Sequence, residues 1–388
     1  MNKNEIKYGQ LSLLLCILIP ASKLLSTPVL CFRESGRDFW LGMAVAFAVD
    51  FISIVFALWA MRINESGSSF KEILQRTLSK PIADIILAVF ATIFFFKFLN
   101  VLLDLFALYT NTFVVKSNWV VFAVVALVVG WFVVSRGFYV VARLGQVLFI
   151  PITVCLIVMS VLSIADCNFD VLRPFAQEGF KGIAETSLNA YFSFGDVALV
   201  SLLTGEVKKG KRSAWQVLLG VVVAGLITIF VCVIYVALFG ELARYGDIAI
   251  ARISQFNFNT SVTGRLDWLL ISGWIVAIFL LLFTYLHCFL RSVDMLFEEK
   301  KSNLPVPFNR SFWECVLFAM VAVALPVLTD ARALIEEIFI FGWGGYVHIA
   351  LCVLIALLSP LLVFLNERKI FASLDDTNAK LSVTVMEV

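Results

Sequence analysis

A lysine stands between two prolines inside an otherwise apolar segment, ILIPASKLLSTPVL at positions 17–30. Pro20 and Pro28 have no backbone N–H to donate, so each leaves a helical carbonyl without its usual partner. Exposed backbone at membrane depth is tolerated only where it faces protein or a wet cavity. Lys23 adds a positive charge, which costs ~2.5–3.5 kcal/mol near the centre of a bilayer. The pattern predicts either a ligand or ion site lined by Lys23, or a structural charge that snorkels or is paired. Two hydroxyl side chains beside it can bond to the freed backbone: Ser22 and Ser26.

A second apolar segment carries a similar interruption. In AYFSFGDVALVS, at positions 190–201, Ser193, Gly195 and Asp196 fall in the middle of the segment. The backbone freedom of glycine suits a helix break at this point. We expect Lys23 and Asp196 to face one cavity, with a purely structural contact as the alternative.

A third polar stripe lies in FFFKFLNVLLDLFALYT, at positions 94–110. Lys97, Asn100 and Asp104 follow one another at i, i+3 and i+7, which places all three on one helical face. A lysine and an aspartate two turns apart are too distant for a clean direct bridge, so Asn100 or water is expected to link them. The stripe is interpreted as a structural network or as a polar pathway. The candidates for ligand binding are Ser22, Lys23, Ser26, Lys97, Asn100, Asp104, Ser193, Gly195 and Asp196.

Other polar residues within apolar segments are interpreted as packing residues. Asp50 is isolated in the middle of its segment and is expected to be a packed carboxyl. His287 and His348 have no Ser/His/Asp or metal-ligand spacing around them. We therefore expect no enzyme activity, no metal site and no cofactor.

The composition indicates which solvent surrounds the chain. Of its 388 residues, 61% are hydrophobic and 15% are charged. A soluble domain carries about 25% charged residues. Because polar residues are too few to cover a water-facing surface, the protein is expected to lie in a lipid membrane.

Ten apolar segments are long enough to cross a bilayer, which takes about 20 residues each. They cover residues 10–32, 38–61, 82–110, 119–135, 141–165, 183–204, 214–240, 266–295, 312–329 and 336–365. We expect one transmembrane domain over residues 1–368, followed by a short polar cytoplasmic tail over 369–388. With the N-terminus inside, the cytoplasmic segments hold about twice as many Lys and Arg residues as the outer loops, so both termini are expected to be cytoplasmic.

Two features of the polar connections support this topology. The basic run KKGKR at 208–212 is interpreted as an inner-loop anchor rather than a nucleic-acid site, so no nucleic-acid partner is expected. SSFKEILQRTL at 68–78 is predicted to form a short amphipathic helix on the inner surface. Ser69 and Glu72 have the spacing of a capping box at its start.

Ten helices divide into two sets of five, and the second set enters the membrane from the opposite side because five is odd. Inverted repeats of this kind build a midplane site from interrupted helices at matching positions. The two interrupted segments fall in helices 1 and 6, which are such positions. The expected fold is an all-α integral membrane protein of ten transmembrane helices in two inverted five-helix repeats, with helices 1 and 6 interrupted.

Four stretches resemble the spore germination permeases, the B subunits of germinant receptors in endospore-forming bacteria, within the amino acid–polyamine–organocation transporter superfamily. They are FDVLRPFAQEGFKGIAETSLNAYFSFGDVALVSLLTGEVKKGKR at 169–212, GFYVVARLGQVLFIP at 137–151, GRLDWLLISGWIVAIF at 264–279 and SKLLSTP at 22–28. Together they are correctly ordered, and the resemblance covers roughly residues 8–368.

The resemblance implies a LeuT-like fold, a role in sensing a small-molecule germinant such as an amino acid, and residence in the spore inner membrane. It also implies a complex with an A and a C subunit. Asp196 takes the place of the acidic residue in helix 6, and Ser22 with Lys23 takes that of the helix 1 break. Family members often have glycine in that break, whereas residues 21–28 contain none.

Three functions share the expected broken helices. The first is a germinant receptor, in which ligand binding shifts the population of two states. The second is an uptake permease for an amino acid or similar solute, and the third is an ion channel gated by germinant. The family resemblance favours the receptor.

Overall fold

A computed structural model describes residues 6–64, 67–113, 117–173, 176, 179–205, 207–208, 213–257, 266–297 and 310–386. The helices, in chain order, are α1 (Tyr8–Lys23), α2 (Thr27–Ser35), α3 (Phe39–Ile63), α4 (Phe70–Thr77), α5 (Lys80–Thr112), α6 (Trp119–Val134), α7 (Phe138–Ile164), α8 (Gly179–Ala190), α9 (Asp196–Leu202), α10 (Ser213–Phe239), α11 (Ala249–Asn257), α12 (Leu266–Leu296), α13 (Arg310–Leu328), α14 (Ala331–Ile335) and α15 (Trp343–Met386). Nearly all described residues are thus helical, as the composition predicted.

The protein is an integral membrane protein. Among the described residues, six helical stretches are long and apolar enough to cross a membrane: Thr27–Ile63, Lys80–Thr112, Phe138–Ile164, Ala214–Tyr245, Leu270–Leu296 and Trp343–Ile370. The bent pair Trp313–Leu328 and Ala331–Ile340 raises the number to 7 if it is one span. Tyr8–Lys23 and Trp119–Val134 are shorter apolar helices. The count of ten spans in two inverted repeats remains a prediction.

Large apolar side chains cover the outside of the bundle, as lipid contact requires. On α6, Val121 is 62% exposed, and Val125, Val128 and Phe132 are exposed on the same side. The opposite side of α6 is buried, with Ala123 and Leu127 packed into the main apolar core. A helix that is apolar on every side belongs in lipid, where its outer face gains nothing from polar residues.

α1 lies at the centre of the bundle. It packs against α10, α7 and α12, and 12 of its residues are buried. α5 packs along α12 in the same core. These contacts place the predicted polar positions of α1 and α5 inside the protein and away from lipid.

Short elements connect the helices at one end of the bundle. A parallel strand pair joins β1 (Ile6–Lys7) to β2 (Val207–Lys208), so the chain before α1 is bonded to the chain after α9. The predicted amphipathic helix is α4, and its capping box is confirmed: Ser69 accepts from the Glu72 backbone N–H while the Glu72 side chain accepts from the Ser69 N–H. α4 packs against α5 and α15.

The predicted helix over 336–365 is wrong at its start. Residues Glu336–Ile340 form a π-helical turn that continues α14, and α15 begins only at Trp343. α13 and the α14 segment meet at a bend of 106°. Asp330 stops the first helix and caps the next by accepting from the Ala333 backbone N–H at 3.2 Å.

Candidate functional site

The first break of the site lies in helix 1, between α1 and α2. Residues 24–26 leave the α-helical path, and Pro28 stands in the first turn of α2, where its missing N–H costs nothing. The Leu24 N–H still donates to the Pro20 carbonyl at 3.0 Å. The Leu25 carbonyl accepts from the Ala249 N–H at 3.2 Å, so the α11 segment satisfies part of the broken backbone. The break thus spans three residues without any glycine.

The second break lies in helix 6, between α8 and α9. Gly195 has a φ of +79°, a left-handed conformation that L side chains rarely adopt. A Cβ at this position would lie 2.7 Å from Cε1 and Nε2 of the His348 ring on α15. Position 195 therefore requires glycine for two reasons: the left-handed backbone conformation and the close approach of α15.

The two breaks meet at a buried ion pair. The Lys23 Nζ donates to Asp196 Oδ2 at 2.6 Å and to the Ser22 hydroxyl at 3.0 Å. It also lies 4.6 Å from the centre of the Phe194 ring. The Lys23 side chain is 0% exposed and that of Asp196 is 5% exposed. Lys23 and Asp196 are thus in direct contact, whereas a cavity that both side chains face remains a prediction.

The energetics of this pair explain its geometry. Two charges removed from water lose several kcal/mol of hydration each, and only close contact with further hydrogen bonds offsets that loss. Lys23 obtains such contacts from Asp196, from Ser22 and from an aromatic face. The alternative of a snorkelling lysine is wrong, because the ammonium is fully buried.

A second contact joins the same two breaks on the side toward α2. The Thr27 and Ser193 hydroxyl oxygens lie 2.5 Å apart, with either one as the donor. The Ser193 N–H donates to the Ala190 carbonyl at 3.0 Å, which keeps the end of α8 in register. The breaks are therefore connected by one charged and one neutral hydrogen bond.

α5 contacts both breaks through the predicted polar stripe. The Lys97 Nζ donates to the Phe194 carbonyl in the helix 6 break. Asp104 accepts from the Ser26 hydroxyl, in the helix 1 break, at 2.7 Å. Asn100 is half-buried and makes neither of these hydrogen bonds. The expected link along the stripe is thus replaced by two separate links from α5 to the neighbouring helices.

Sequence reasoning missed Arg332. Its guanidinium donates to Asp104 Oδ1 at 2.6 Å and brings α14 onto α5, while Asp104 itself is only 1% exposed. Arg332 also lies 3.7 Å from Glu336 on its own segment. No local pattern in the sequence marks Arg332, because the contact depends on the bend between α13 and α14.

Asp50 and His348, which were interpreted as packing residues, are both buried. Asp50 is 1% exposed in the middle of α3, which packs against α9. His348 is 0% exposed and contacts the rings of Tyr191 and Phe192 beside the helix 6 break.

The structure therefore brings eight of the nine predicted site residues to direct contacts around the two breaks, with Asn100 as the exception. The site offers an ammonium, a carboxylate, hydroxyl groups and the backbone of two broken helices. Groups of these kinds fix the orientation of small polar ligands in protein sites, so these residues remain candidates for ligand binding. In the conformation described, Lys23 and Asp196 are paired with each other, and both side chains are closed off from solvent.

Two broken helices that meet at buried charges within a bundle of apolar spans define the architecture of this membrane protein. The crystal structure of the Eremococcus coleocola manganese transporter in complex with an aromatic bis-isothiourea compound has this fold: its TM-score is 0.55 at 11% identity, with 92% of this chain and 76% of that chain covered. A mutant of the same transporter gives a TM-score of 0.54 with the same identity and coverage. At this identity the likeness concerns the fold alone.

The chain belongs to the spore germination protein family, whose model matches residues 5–336. No protein with a curated description matches it. The family and the structural neighbours are both membrane permeases or transporters, in agreement with the resemblance found in the sequence.

Proposed function

We propose that this protein is the B subunit of a germinant receptor and that it binds a small germinant, such as an amino acid, between the breaks of helices 1 and 6. In this proposal ten helices form two inverted five-helix repeats, and both termini are cytoplasmic. The protein resides in the spore inner membrane and signals through an A and a C subunit. The observation that carries the proposal is the buried Lys23–Asp196 pair across two helix breaks, in a member of the germination family.

The chemistry of the pair suits a zwitterionic ligand. An amino acid carries an ammonium and a carboxylate close together, so it can exchange one internal ion pair for two new ones, with Asp196 and with Lys23. The exchange leaves no buried charge without a partner, which is the condition for a buried ionic site to be stable. The hydroxyls of Ser22, Ser26 and Ser193 are within the same region and supply neutral hydrogen bonds.

Binding at a closed site requires a second state in which the two breaks separate. A ligand shifts the population toward that state only if it binds that state more tightly. Arg332 and Asp104 form a contact that holds α14 over the helix 1 break, and its release accompanies opening on that side. The signal to partner subunits is the resulting movement of these helices.

An uptake permease or a germinant-gated ion channel is the alternative function. The fold likeness to a transporter supports it, since that architecture carries solutes in a relative. A permease would use the same closed and open states but would release its ligand on the other side of the membrane. Receptor and transporter therefore differ in what crosses the membrane.

The test uses spores of a strain that lacks this chain. Release of dipicolinic acid is recorded against a panel of amino acids, nucleosides and sugars, and uptake of the same solutes is measured in vegetative cells. Loss of release in response to one germinant with uptake intact supports the receptor. Normal release with loss of one uptake activity contradicts it and supports the permease.

Complementation then tests the site. The native gene restores release, and so does a variant with Lys181→Met, a change to an outer residue whose side chain is 87% exposed. A variant with Asp196→Asn inserts into the membrane and shifts the response to higher germinant concentration. An unchanged dose–response for Asp196→Asn would remove Asp196 from the proposed binding site.

A further inference from the structure

Lys97, on α5, is a buried lysine that uses little of its capacity for hydrogen bonding. It is 4% exposed. Among the described residues, its Nζ makes one hydrogen bond, to the Phe194 carbonyl, and lies 5.9 Å from the centre of the Tyr285 ring. An ammonium group has three donors and no acceptor. Two of its N–H groups therefore have no oxygen or nitrogen acceptor in the part of the chain that the structure describes.

The buried carboxylates of the neighbouring helices do not pair with this ammonium. Asp196 accepts from Lys23 at 2.6 Å, and Asp104, further along α5, accepts from Arg332 at 2.6 Å. Asp50, on α3, is 1% exposed and forms no ion pair with another described residue. Both ion pairs at the helix breaks are thus complete without the α5 lysine, whose charge has no close counter-charge.

The unmatched cation lies at the ligand site itself. Lys97 and Lys23 contact the same residue of the helix 6 break: the first donates to the Phe194 carbonyl, and the second lies 4.6 Å from the centre of the Phe194 ring. A charged side chain within a membrane span is costly and is typical of a substrate or ion pathway. A ligand that enters between Lys23 and Asp196 therefore meets a second ammonium with donors to spare.

We propose that Lys97 binds an anionic group in the ligand site, which comes either from the second carboxylate of an acidic amino acid or from a free inorganic anion. Carboxylate oxygens only accept hydrogen bonds, so they match the unused N–H groups and supply the missing negative charge. The first source rests on the proposed function, and the second does not. An acidic amino acid would place its ammonium on Asp196 and its two carboxylates on Lys23 and Lys97, so that every buried charge has a partner.

Thermal unfolding of the purified full-length chain in detergent tests this site. The protein is titrated in chloride-free buffer with sodium L-glutamate, with L-glutamine, which lacks the second carboxylate, or with sodium chloride. If the anion belongs to the amino acid, glutamate should raise the native midpoint at a concentration about tenfold lower than glutamine, as one added hydrogen bond between charged groups provides. If the anion is free, chloride alone should raise the native midpoint.

Lys97→Gln is the variant that separates charge from hydrogen bonding, because glutamine retains a donor for the Phe194 carbonyl and removes the ammonium. In this variant glutamate should act no more strongly than glutamine, and chloride should have no effect. The matched control is Lys181→Met, which removes a lysine that is 87% exposed and should leave all native responses unchanged. If Lys97→Gln does not fold, Lys97→Met replaces it with the same expectations.

Equal action of glutamate and glutamine on the native protein, together with no effect of chloride, would overturn the anion site and leave the receptor proposal standing. A preference for glutamate or a chloride effect that persists without the Lys97 charge would overturn it as well. A chloride effect that requires Lys97, with no response to either amino acid, would support the site and contradict an amino acid as the ligand. A native protein that responds to none of the three would contradict both.

Discussion

The Lys23 ammonium and the Asp196 carboxylate meet at 2.6 Å, although 173 positions separate them in the chain. Each residue stands at the edge of a helix break, so the contact joins the α1–α2 break to the α8–α9 break. A change to either residue therefore acts on both breaks at once.

Removal of the lysine charge is expected to shift the response to much higher germinant concentration. Lys23→Met keeps the length and apolar character of the side chain and leaves Asp196 without its cation. We expect the variant to insert into the membrane and to release dipicolinic acid only at much higher germinant concentration. Lys181→Met, at an exposed outer position, is the control. A native dose–response in Lys23→Met would mean that the lysine has a structural role alone.

The pair is also expected to show energetic coupling. Breaking a buried ion pair from one side costs about 3–5 kcal/mol, because the remaining charge has no partner. Lys23→Met and Asp196→Asn should each lower the thermal stability of the protein in detergent. The double variant should lose less than the sum, by about 0.5–3 kcal/mol, the range found for residues in direct contact. Additive losses would show that the two side chains act independently.

The contact of Arg332 with Asp104 is expected to hold the α14 segment in place. Arg332→Gln removes the charge, and hydrogen exchange of the backbone amides in residues 331–340 should accelerate about fivefold, equivalent to ~1 kcal/mol for a partly exposed pair. Arg37→Gln, which breaks the exposed pair with Glu241, is the control and should not alter that segment. Equal exchange in native protein and Arg332→Gln would contradict the role assigned to Arg332.

Gly195 is expected to tolerate no side chain. Gly195→Ala adds a left-handed backbone strain of ~1–2 kcal/mol and, in addition, a clash with the His348 ring. Gly67→Ala measures the backbone strain without the clash, since Gly67 has a φ of +69° but nothing lies within 4 Å of an added Cβ. Thermal unfolding should therefore show a larger loss for Gly195→Ala than for Gly67→Ala.

His348→Ala provides the second half of that test. In Gly195→Ala/His348→Ala the contact with the ring is gone, whereas the backbone strain and the approach to Cys352 Sγ at 3.2 Å remain. Because His348→Ala also leaves a cavity, the comparison is made in that background: Gly195→Ala should lower the midpoint less in His348→Ala than in the native protein. If the smaller residue at position 348 gives no recovery, close approach of α15 is not the reason for glycine at this break.

The breaks could be predicted because their causes are local. Pro20, Pro28 and Gly195 restrict or free the backbone by their own covalent structure, so a single sequence reveals them. Inverted-repeat symmetry then related the two breaks, which led to the prediction that Lys23 and Asp196 face one cavity. The confirmed capping box of α4 is a similar case, since its partners are three residues apart.

The rest of the site depends on contacts between distant segments. Arg332 reaches Asp104 only after the chain bends by 106° between α13 and α14, and no periodicity in the sequence encodes that bend. Asn100 shares a helical face with Lys97 and Asp104, yet its neighbours bond to the helix breaks instead. A shared face predicts a common environment but does not determine which partner each side chain finds.

The two-residue strand pair has a mechanical consequence. β1 leads directly into α1, and β2 follows shortly after α9, so backbone hydrogen bonds couple the first half of helix 1 to the second half of helix 6. For the proposed open state, we expect these coupled ends to stay together while the two breaks separate by a rotation about the strand pair.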